Sequence, residues 1–312
     1  MKFHALYTHG SKNFFLLIDE FDLQIDFDRG LFTQKISKLI KIDGTLFLQK
    51  SKLKNCTGKM SMYNTDGSEA EMCGNGIRIV ARKLYERTKL KEFNIETKKG
   101  KILIKKEEDI YPSILTFSAN INPVNLKLSQ IPLNCKKEQL LNDFCPESGF
   151  EDKFSAISVQ NPHIIFVRKN IEKKELEKYG KLANENKNTF PNGINVNFVE
   201  IIKRNKIFVQ TYERGVGITN SCGTGMSSTS FIVSLLNYCD FENKIEVLNE
   251  GGKVFCVTHK DDKSIDLIGN ATYIEKYEIT YKDEDIKIKV LKIFENEIKK
   301  YKEFINNLDN KA

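Results

Sequence analysis

A cysteine followed by glycine, any residue and a second glycine occurs twice in the sequence, in NTDGSEAEMCGNGIR and in ERGVGITNSCGTGMS. The second cysteine, Cys222, follows the first, Cys73, by 149 positions. Upstream of each copy lies an apolar, strand-like run that begins with asparagine. These runs, NFFLLID at 13–19 and NPHIIFV at 161–167, are 148 positions apart. Two features that recur in the same order with nearly the same offset predict a chain built from two structurally similar halves.

Short apolar runs bounded by turn signals predict strands in both halves, for example GTLFLQ and KIFVQTY. After each Cys-Gly-x-Gly the periodicity becomes helical. In GNGIRIVARKLYER, apolar residues follow the spacing of one helix face at Ile77, Val80, Ala81 and Leu84. The segment GTGMSSTSFIVSLLNY is also helix-like. Because the predicted strands far outnumber the helices, we predict an α+β fold with two pseudo-symmetric domains.

The length of 312 residues suits two domains of ordinary size. A boundary is predicted within 120–150, where NINPVNLKLSQIPLN carries two prolines and little periodicity. We therefore assign residues 1–130 to an N-terminal domain that carries Cys73. Residues 131–282 form a C-terminal domain that carries Cys222.

The remaining segment, 283–312, is predicted to be a helical C-terminal extension. Its apolar residues are spaced like one face of a helix, at Val290, Phe294, Ile298, Tyr301, Ile305 and Leu308. Such a face packs either on its own domain, which is the default, or on a second subunit, so a homodimer is one of the two expectations.

The composition limits the classes of partner that the protein is expected to bind. The net charge is +7, but acidic and basic residues are mixed along the chain, and no basic cluster is interleaved with aromatics, so we expect no nucleic-acid partner. No apolar run approaches the roughly 20 residues of a membrane helix. The N-terminal stretch MKFHALYTHGSKNF lacks an apolar signal-peptide core, which predicts a cytoplasmic protein.

Seven cysteines and four histidines occur, without a CxxC pair. This usage predicts neither a structural metal site nor a disulfide framework. Most of the thiols are expected to be buried as small apolar groups. Cys73 and Cys222 differ because each precedes a predicted helix start.

A helix N-terminus carries unpaired N–H groups and a partial positive charge, and it favours thiolate in a cysteine placed there. An anion is expected to bind the N–H groups of Gly74, Asn75 and Gly76, and their counterparts Gly223, Thr224 and Gly225. Inverting a stereocentre needs a base on one face of a carbon and an acid on the other. Two such thiols can supply both without a cofactor, and a carboxylate next to that carbon can rest on the helix ends.

These motifs, together with NPH and GINVNFVE between them, resemble the diaminopimelate epimerase family of pyridoxal-phosphate-independent racemases. The resemblance extends from residue 1 to about residue 280. It implies two similar domains, each a mainly antiparallel β-barrel around a central helix. It also implies a small-molecule amino-acid substrate, no cofactor, no metal and a place in amino-acid biosynthesis.

The resemblance further implies the roles of individual residues. Cys73 and Cys222 would be the catalytic acid/base pair. The remaining positions would bind substrate. The reacting α-carboxylate would be held by Gly74, Asn75, Gly223 and Thr224. The non-reacting amino group would be held by Asn64, Glu213 and the carbonyl of Arg214. The distal carboxylate would be held by Asn161, Asn195 and the Arg214 side chain, and the same polar set includes Asn13 and His163.

Some positions depart from the family pattern. The family usually has glycine where Lys12 and Gln160 stand, and further departures occur at Ile218, Asn220, Met226 and Asn270. The substrate therefore stays open among LL- or meso-diaminopimelate, its thioether analogue lanthionine, and another free amino acid such as histidine. A proline racemase, a phenazine-type isomerase and a non-catalytic amino-acid-binding protein are the other classes. We favour a two-headed substrate because a buried guanidinium at Arg214 would need a carboxylate partner.

Overall fold

A computed structural model describes residues 1–309 of the chain. The described residues form two compact units. Unit 1 contains Met1–Ala119 and the described part of Ile268–Ala312, and unit 2 contains Asn120–Leu267.

Strands make up most of the regular structure. In chain order they are β1 (Lys2–Gly10), β2 (Asn13–Asp19), β3 (Gly44–Gln49), β4 (Gly58–Asn64), β5 (Glu69–Ala70), β6 (Glu92–Thr97), β7 (Gly100–Glu107), β8 (Thr116–Ile121), β9 (Ser155–Ser158), β10 (Pro162–Arg168), β11 (Asn195–Lys203), β12 (Lys206–Glu213), β13 (Gly217–Thr219), β14 (Lys244–Asn249), β15 (Gly252–His259), β16 (Ser264–Asn270), β17 (Thr272–Lys282) and β18 (Asp285–Ile293). The α-helices are α1 (Arg29–Ile36), α2 (Gly74–Thr88), α3 (Lys173–Glu185), α4 (Gly223–Leu235) and α5 (Glu295–Asp309). Two short 3₁₀ helices cover Leu128–Gln130 and Pro146–Ser148.

The two units repeat one strand-pairing pattern. In unit 1, β1 pairs antiparallel with β2, β2 parallel with β3, β3 antiparallel with β4, β4 parallel with β6, and β6 antiparallel with β7. Unit 2 has the same series, with β9, β10, β11, β12, β14 and β15 in the equivalent places. The predicted α+β class and the two similar halves are confirmed, because each half builds the same mainly antiparallel sheet with one central helix.

The central helices α2 and α4 are buried over most of their length. A helix surrounded by a sheet cannot keep a polar face in water, so its side chains must be apolar or satisfied internally. In α4 the hydroxyls of Ser227, Ser230 and Ser234 donate to the carbonyls four residues earlier at 2.8–2.9 Å. Small hydroxyl side chains therefore fill the interior without leaving these oxygens unpaired. Within residues 1–309, none of the helices is both long and apolar enough to cross a membrane.

The C-terminal segment differs from the predicted helical extension. Residues 285–293 form the strand β18, which pairs antiparallel with β17, and only 295–309 are helical. The apolar residues at 290 and 294 are four positions apart. This spacing places them on one face of a helix, but an even spacing also places residues on one face of a strand, so the pattern fits either element. Helices α1 and α3 were not expected from the sequence, although α3 buries Leu176, Gly180 and Ala183 on one face.

The chain does not divide into three successive segments as the linear assignment 1–130, 131–282 and 283–312 supposes. Strand β17 pairs with β1 along nearly its whole length, so the C-terminal residues belong with the N-terminal ones. Helix α5 packs on the same unit, where the rings of Tyr301 and His9 lie edge to face with centroids 4.3 Å apart. The extension therefore packs on its own domain.

Candidate active site

Cys73 stands at the N-cap of α2, in an extended conformation at φ −142°. The backbone N–H of Gly76 donates to Cys73 Sγ at 3.3 Å. A Cβ at Gly76 would lie 2.7 Å from Leu46 Cδ2 and 3.3 Å from the Cys73 sulfur. The second glycine of the motif therefore makes room for the thiol at the helix start.

Cys222 repeats this arrangement at the N-cap of α4, where the N–H of Gly225 donates to Cys222 Sγ at 3.4 Å. A Cβ at Gly225 would lie 2.6 Å from Asn197 Oδ1 and 2.7 Å from Thr211 Oγ1. The two copies of the sequence motif thus build the same corner, a sulfur held against the positive end of a central helix.

The electrostatics of Cys222 favour the protonated thiol. Burial raises its pKa well above the ordinary value, and the negative charge of Glu213 raises it further. Hydrogen bonds from Thr224 and from the Gly225 N–H oppose this shift. In this structure Cys222 is therefore a thiol at neutral pH and can give a proton, while two donors stand ready to stabilise the thiolate.

In unit 1 the structure brings Asn13 to the first turn of α2. The Asn75 side-chain amide donates to Asn13 Oδ1 at 3.2 Å, and Asn13 in turn donates to Asp43 Oδ2 at 2.7 Å. Asn64 lies at the same end of the strands as Asp43, because Gly44, which follows Asp43, pairs with Asn64 in the ladder of β3 and β4. The Asn64 amide donates to Ser68 Oγ at 3.0 Å in the turn that follows β4.

Arg78 supports this turn and was not anticipated from the sequence. Its guanidinium is fully buried, with Nη1 donating to the carbonyl of Gly74 at 3.0 Å and Nη2 to Asn75 Oδ1 at 2.9 Å. Its Nε donates to the carbonyl of Asn270 at 3.3 Å. The available signal was an arginine within an otherwise apolar stretch of a helix that had to be buried. Arg78 orients the residues expected to bind the α-carboxylate.

In unit 2 a chain of hydrogen bonds reaches the second sulfur. Asn197 bonds His163 Nδ1 at 3.1 Å, and His163 Nε2 bonds Asn161 Oδ1 at 3.1 Å. The Asn161 amide then donates to Thr224 Oγ1 at 3.1 Å, and this hydroxyl lies 3.5 Å from Cys222 Sγ. The structure thus joins His163, Asn161 and Thr224 to Cys222. Asn197, which the sequence did not single out, begins this chain of hydrogen bonds.

The partners determine the direction of these bonds. Thr211 Oγ1 donates to Asn197 Oδ1 at 2.8 Å, so the Asn197 amide must be the donor to His163 Nδ1. Burial lowers the pKa of His163 to about 3, so the ring is neutral and carries its one proton on Nε2. Asn161 therefore accepts from His163 and donates to Thr224, which leaves the Thr224 hydroxyl proton for the sulfur.

Three further predicted positions lie together at the end of β12. The backbone N–H of Arg214 donates to Asn195 Oδ1 at 2.9 Å, and Thr219 Oγ1 donates to Glu213 Oε1 at 2.6 Å. Arg214 is exposed rather than buried, and its Nη1 donates to the carbonyl of Asn192 at 2.8 Å. The expectation of a buried guanidinium is wrong, because the turn after β12 leaves the side chain at the surface, where it can reach a dissolved carboxylate.

The two positions where the family usually has glycine share a backbone feature. Lys12 has φ +57° and Gln160 has φ +76°, the left-handed region that glycine enters without strain. The Gln160 side chain donates to the carbonyl of Asn122 at 2.8 Å, and the Lys12 N–H donates to His9 Nδ1 at 3.3 Å. The positive φ at these two positions therefore explains why the family usually has glycine there.

Solved structures with the same fold are distant in sequence. A phenazine biosynthesis protein of the PhzF family from Bacillus anthracis matches with a TM-score of 0.62 at 15% identity, covering 90% of this chain and 99% of that one. A probable proline racemase from Agrobacterium radiobacter matches with a TM-score of 0.62 at 12% identity, covering 88% of this chain and 91% of that one.

Sequence relatives are much closer. The family model described as diaminopimelate epimerase matches residues 5–115 and 155–274. A protein from Clostridium acetobutylicum named diaminopimelate epimerase is 41% identical over 97% of this chain and 94% of its own length. One of the same name from Listeria monocytogenes is 39% identical over 91% of this chain and 90% of its own. With the family pattern matched in both halves and such relatives aligned along nearly the whole chain, the protein belongs to the diaminopimelate epimerase family and is an isomerase.

Proposed function

We propose that the protein inverts the α-carbon of a free amino acid by two-base chemistry at Cys73 and Cys222, without pyridoxal phosphate or a metal. The observation that carries this proposal is the repeated corner. Each sulfur accepts the N–H of the second motif glycine, at 3.3 Å for Cys73 and 3.4 Å for Cys222, at the start of a buried central helix. One cysteine acts as the base and the other as the acid, which is what inversion of one carbon by two-base chemistry requires.

In the forward step one cysteine, as thiolate, takes the α-proton and becomes a thiol. The electron pair left on carbon is delocalised into the α-carboxylate. The other cysteine, as thiol, then gives its proton to the opposite face and becomes the thiolate, so protons and charge balance. The reverse reaction exchanges the roles. The high pKa of Cys222 fits the proton-donor role, since burial and Glu213 keep the thiol protonated until it protonates the α-carbon.

The carboxylate needs stabilisation as negative charge develops on it. We assign this to the N–H groups of Gly74, Asn75, Gly223 and Thr224, because helix N-termini bind anions with backbone donors. Arg78 supports the first pair through its bonds to the Gly74 carbonyl and the Asn75 side chain.

For the substrate we propose LL- or meso-diaminopimelate or its analogue lanthionine. The names of relatives near 40% identity support the first. Asn161, Asn195 and the Arg214 guanidinium would hold the distal carboxylate, and Asn64, Glu213 and the Arg214 carbonyl the distal amino group. Arg214 is exposed, so its guanidinium is accessible to an arriving carboxylate and can form a two-pronged contact with it.

Histidine racemisation is the second candidate, and the substitutions at Lys12 and Gln160 are what favour it. Both positions have positive φ. Replacing the usual glycine there therefore changes backbone strain more than it changes the polar groups available to a substrate. We therefore rank the two-headed substrate first.

The test is a screen of free amino acids and diaminopimelate stereoisomers, followed by circular dichroism, in H₂O and in D₂O. We expect diaminopimelate to be epimerised with deuterium entering the α-carbon of product. Replacing Cys73 or Cys222 with serine should lower turnover by orders of magnitude, because a hydroxyl is a poor base near neutral pH. Full activity in both serine variants would overturn the two-cysteine mechanism, and a readily racemised histidine beside untouched diaminopimelate would overturn the substrate.

Arg214→Lys distinguishes the two substrate types further. A two-headed substrate should lose far more kcat/KM than histidine does, because lysine keeps the charge but not the paired geometry. Equal losses for both substrates would remove Arg214 from the distal carboxylate site.

A cytoplasmic location and a homodimer remain predictions. Cell fractionation tests the first. Sedimentation velocity tests the second, and a single species with the mass of one chain would exclude the dimer.

A further inference from the structure

A second cluster of thiol and carboxylate groups lies within unit 2. It consists of Cys135, Cys145 and Glu147, whose ligand atoms all lie within 4.8 Å of one another. None of the three belongs to the polar network around Cys222. The sequence predicted no metal site, because it has no CxxC pair and only four histidines.

The fold assembles this cluster on a rigid base. Cys145 is 1% exposed and belongs to the apolar core of unit 2, against which Cys135 packs while partly buried. Glu147 lies in the 3₁₀ helix Pro146–Ser148 with its side chain exposed. The cluster therefore has two thiols anchored in the core and one carboxylate facing solvent. An ion can enter from the side of the carboxylate.

Hydrogen bonds to backbone carbonyls, a pair of them donated by the Asn186 side chain, hold both ends of the cluster without any ion. The N–H of Asn134, next to Cys135, donates to the carbonyl of Thr189 at 2.8 Å. The Asn186 amide donates to the carbonyls of Glu147 and Ser148, each at 3.1 Å. Both cysteine-bearing segments are thus tied to the same loop, 186–189, so the ligand positions are set before an ion binds.

The spacing suits a tetrahedral metal ion. Cys145 Sγ lies 3.5 Å from Glu147 Oε2. With zinc–sulfur and zinc–oxygen bonds of about 2.3 and 2.0 Å, a tetrahedral angle places these two ligand atoms about 3.5 Å apart. Zinc could therefore enter with little movement of either side chain.

We propose that Cys135, Cys145 and Glu147 bind one thiophilic divalent metal ion, with Zn²⁺ the expected ion and water its fourth ligand. Binding converts two thiols to thiolates and releases two protons, so the ion is held by two sulfurs and one oxygen. Thiolate ligands select zinc-like ions over Mg²⁺ or Ca²⁺, which prefer oxygen.

The site is structural in this proposal. Between β8 and β9 the described chain has only the two 3₁₀ helices and isolated bridges, so few ladder bonds hold residues 122–154. An ion that joins Cys135 to Cys145 adds a cross-link within this segment to the hydrogen bonds that already hold it. Metal binding should therefore raise the thermal stability of unit 2 while leaving the active-site corner unchanged.

The test is a Co²⁺ titration of the reduced full-length protein, since cobalt bound to thiolates gives intense charge-transfer and tetrahedral visible bands. Because Cys73 and Cys222 could also take up cobalt, the titration is repeated with both replaced by alanine. We expect one equivalent to bind in either protein, with displacement by Zn²⁺. Cys239→Ser, which alters another buried cysteine of unit 2, is the matched control and should bind as before.

Cys135→Ser and Cys145→Ser should abolish the thiolate bands, and Glu147→Gln should weaken affinity at least 10-fold. Far-ultraviolet circular dichroism shows whether each variant folds. If a serine variant does not fold, Glu147→Gln still tests metal binding, because the Glu147 side chain is exposed and its replacement should not disturb the fold. Cobalt bands unchanged in Cys135→Ser and Glu147→Gln would overturn the proposal. So would a protein that takes up no metal under reductant and forms a Cys135–Cys145 disulfide in air.

Discussion

The hydroxyl of Thr224 lies 3.5 Å from the sulfur of Cys222 and accepts the Asn161 amide at 3.1 Å. Thr224→Val keeps the shape but removes the donor to the thiolate. A hydrogen bond to a charged group contributes about 1.5–3 kcal/mol, so kcat/KM should fall roughly 10- to 100-fold. The loss should be equal in both reaction directions, because the equilibrium constant fixes their ratio, and one limb of the pH profile should move to higher pH.

Thr224→Ser is the control, since it retains the hydroxyl, and it should restore most of the activity and the original pH profile. A valine variant with an unchanged profile would show that this hydroxyl does not stabilise the thiolate.

Two buried histidines should make the fold sensitive to acid. Burial lowers the pKa of both His9 and His163 to about 3, against about 6.5 in the unfolded chain. Between these values the unfolded chain binds protons that the folded chain excludes, so stability is complete above pH 6.5 and is lost as pH falls toward 3. Each histidine should contribute a slope of about 1.4 kcal/mol per pH unit well below pH 6.5. Urea unfolding at several pH values measures it.

His163→Gln should remove one such slope between pH 6 and pH 5. His4→Gln, at an exposed position, is the matched control and should leave the slope contributed by His163 in place. Identical slopes for wild type and His163→Gln would mean that His163 is protonated in the folded protein.

Arg82 should help to hold helix α5 on unit 1, in addition to the buried rings of Tyr301 and Phe304. The Arg82 guanidinium meets the Glu297 carboxylate with two bonds of 2.6 and 2.7 Å and stacks 3.6 Å from the ring centre of Tyr273. Burial is the largest single effect and opposes the charge of Arg82, but Glu297, Tyr273 and Glu86 together outweigh burial and raise the pKa of Arg82. Glu297→Ala removes this partner while Glu86 still pairs with Arg82 Nε at 3.0 Å, so the free energy of unfolding should fall by about 1.5–3 kcal/mol.

Glu303→Ala tests the same substitution on the same helix. Its partner Lys300 forms a surface pair at 2.8 Å, and we expect no measurable change. Similar losses in the two variants would assign the effect to helix propensity rather than to the Arg82 contact.

The second glycine of each motif should tolerate alanine unequally. A Cβ at Gly225 would press on the hydrogen-bonded pair Asn197 and Thr211, whereas one at Gly76 would meet the movable end of Leu46. Gly225→Ala should therefore cost about 1–3 kcal/mol and disturb the bonds that lead to Cys222, and Gly76→Ala should cost less. Thermal unfolding compares them, and a larger loss at Gly76 would contradict this ranking.

Much of the candidate site could be predicted because its signals are local. A cysteine, two glycines and a following helical period lie within a few residues, so the N-cap corner is written into short segments that occur twice. The repeated strand runs are equally local. This is why two similar sheet-rich halves, their central helices and the two sulfurs follow from the sequence alone.

The tertiary structure decided what depends on contacts between distant segments. The sequence does not show that Arg78 would be fully buried beneath the α2 corner, that a neutral His163 would direct a hydrogen bond toward Thr224, or that Arg214 would be exposed. The return of β17 to β1 and the meeting of Cys135 with Cys145 and Glu147 are likewise absent from any short pattern. Burial and bond direction arise from which segments pack together, and packing is a property of the whole fold rather than of neighbouring residues in the chain.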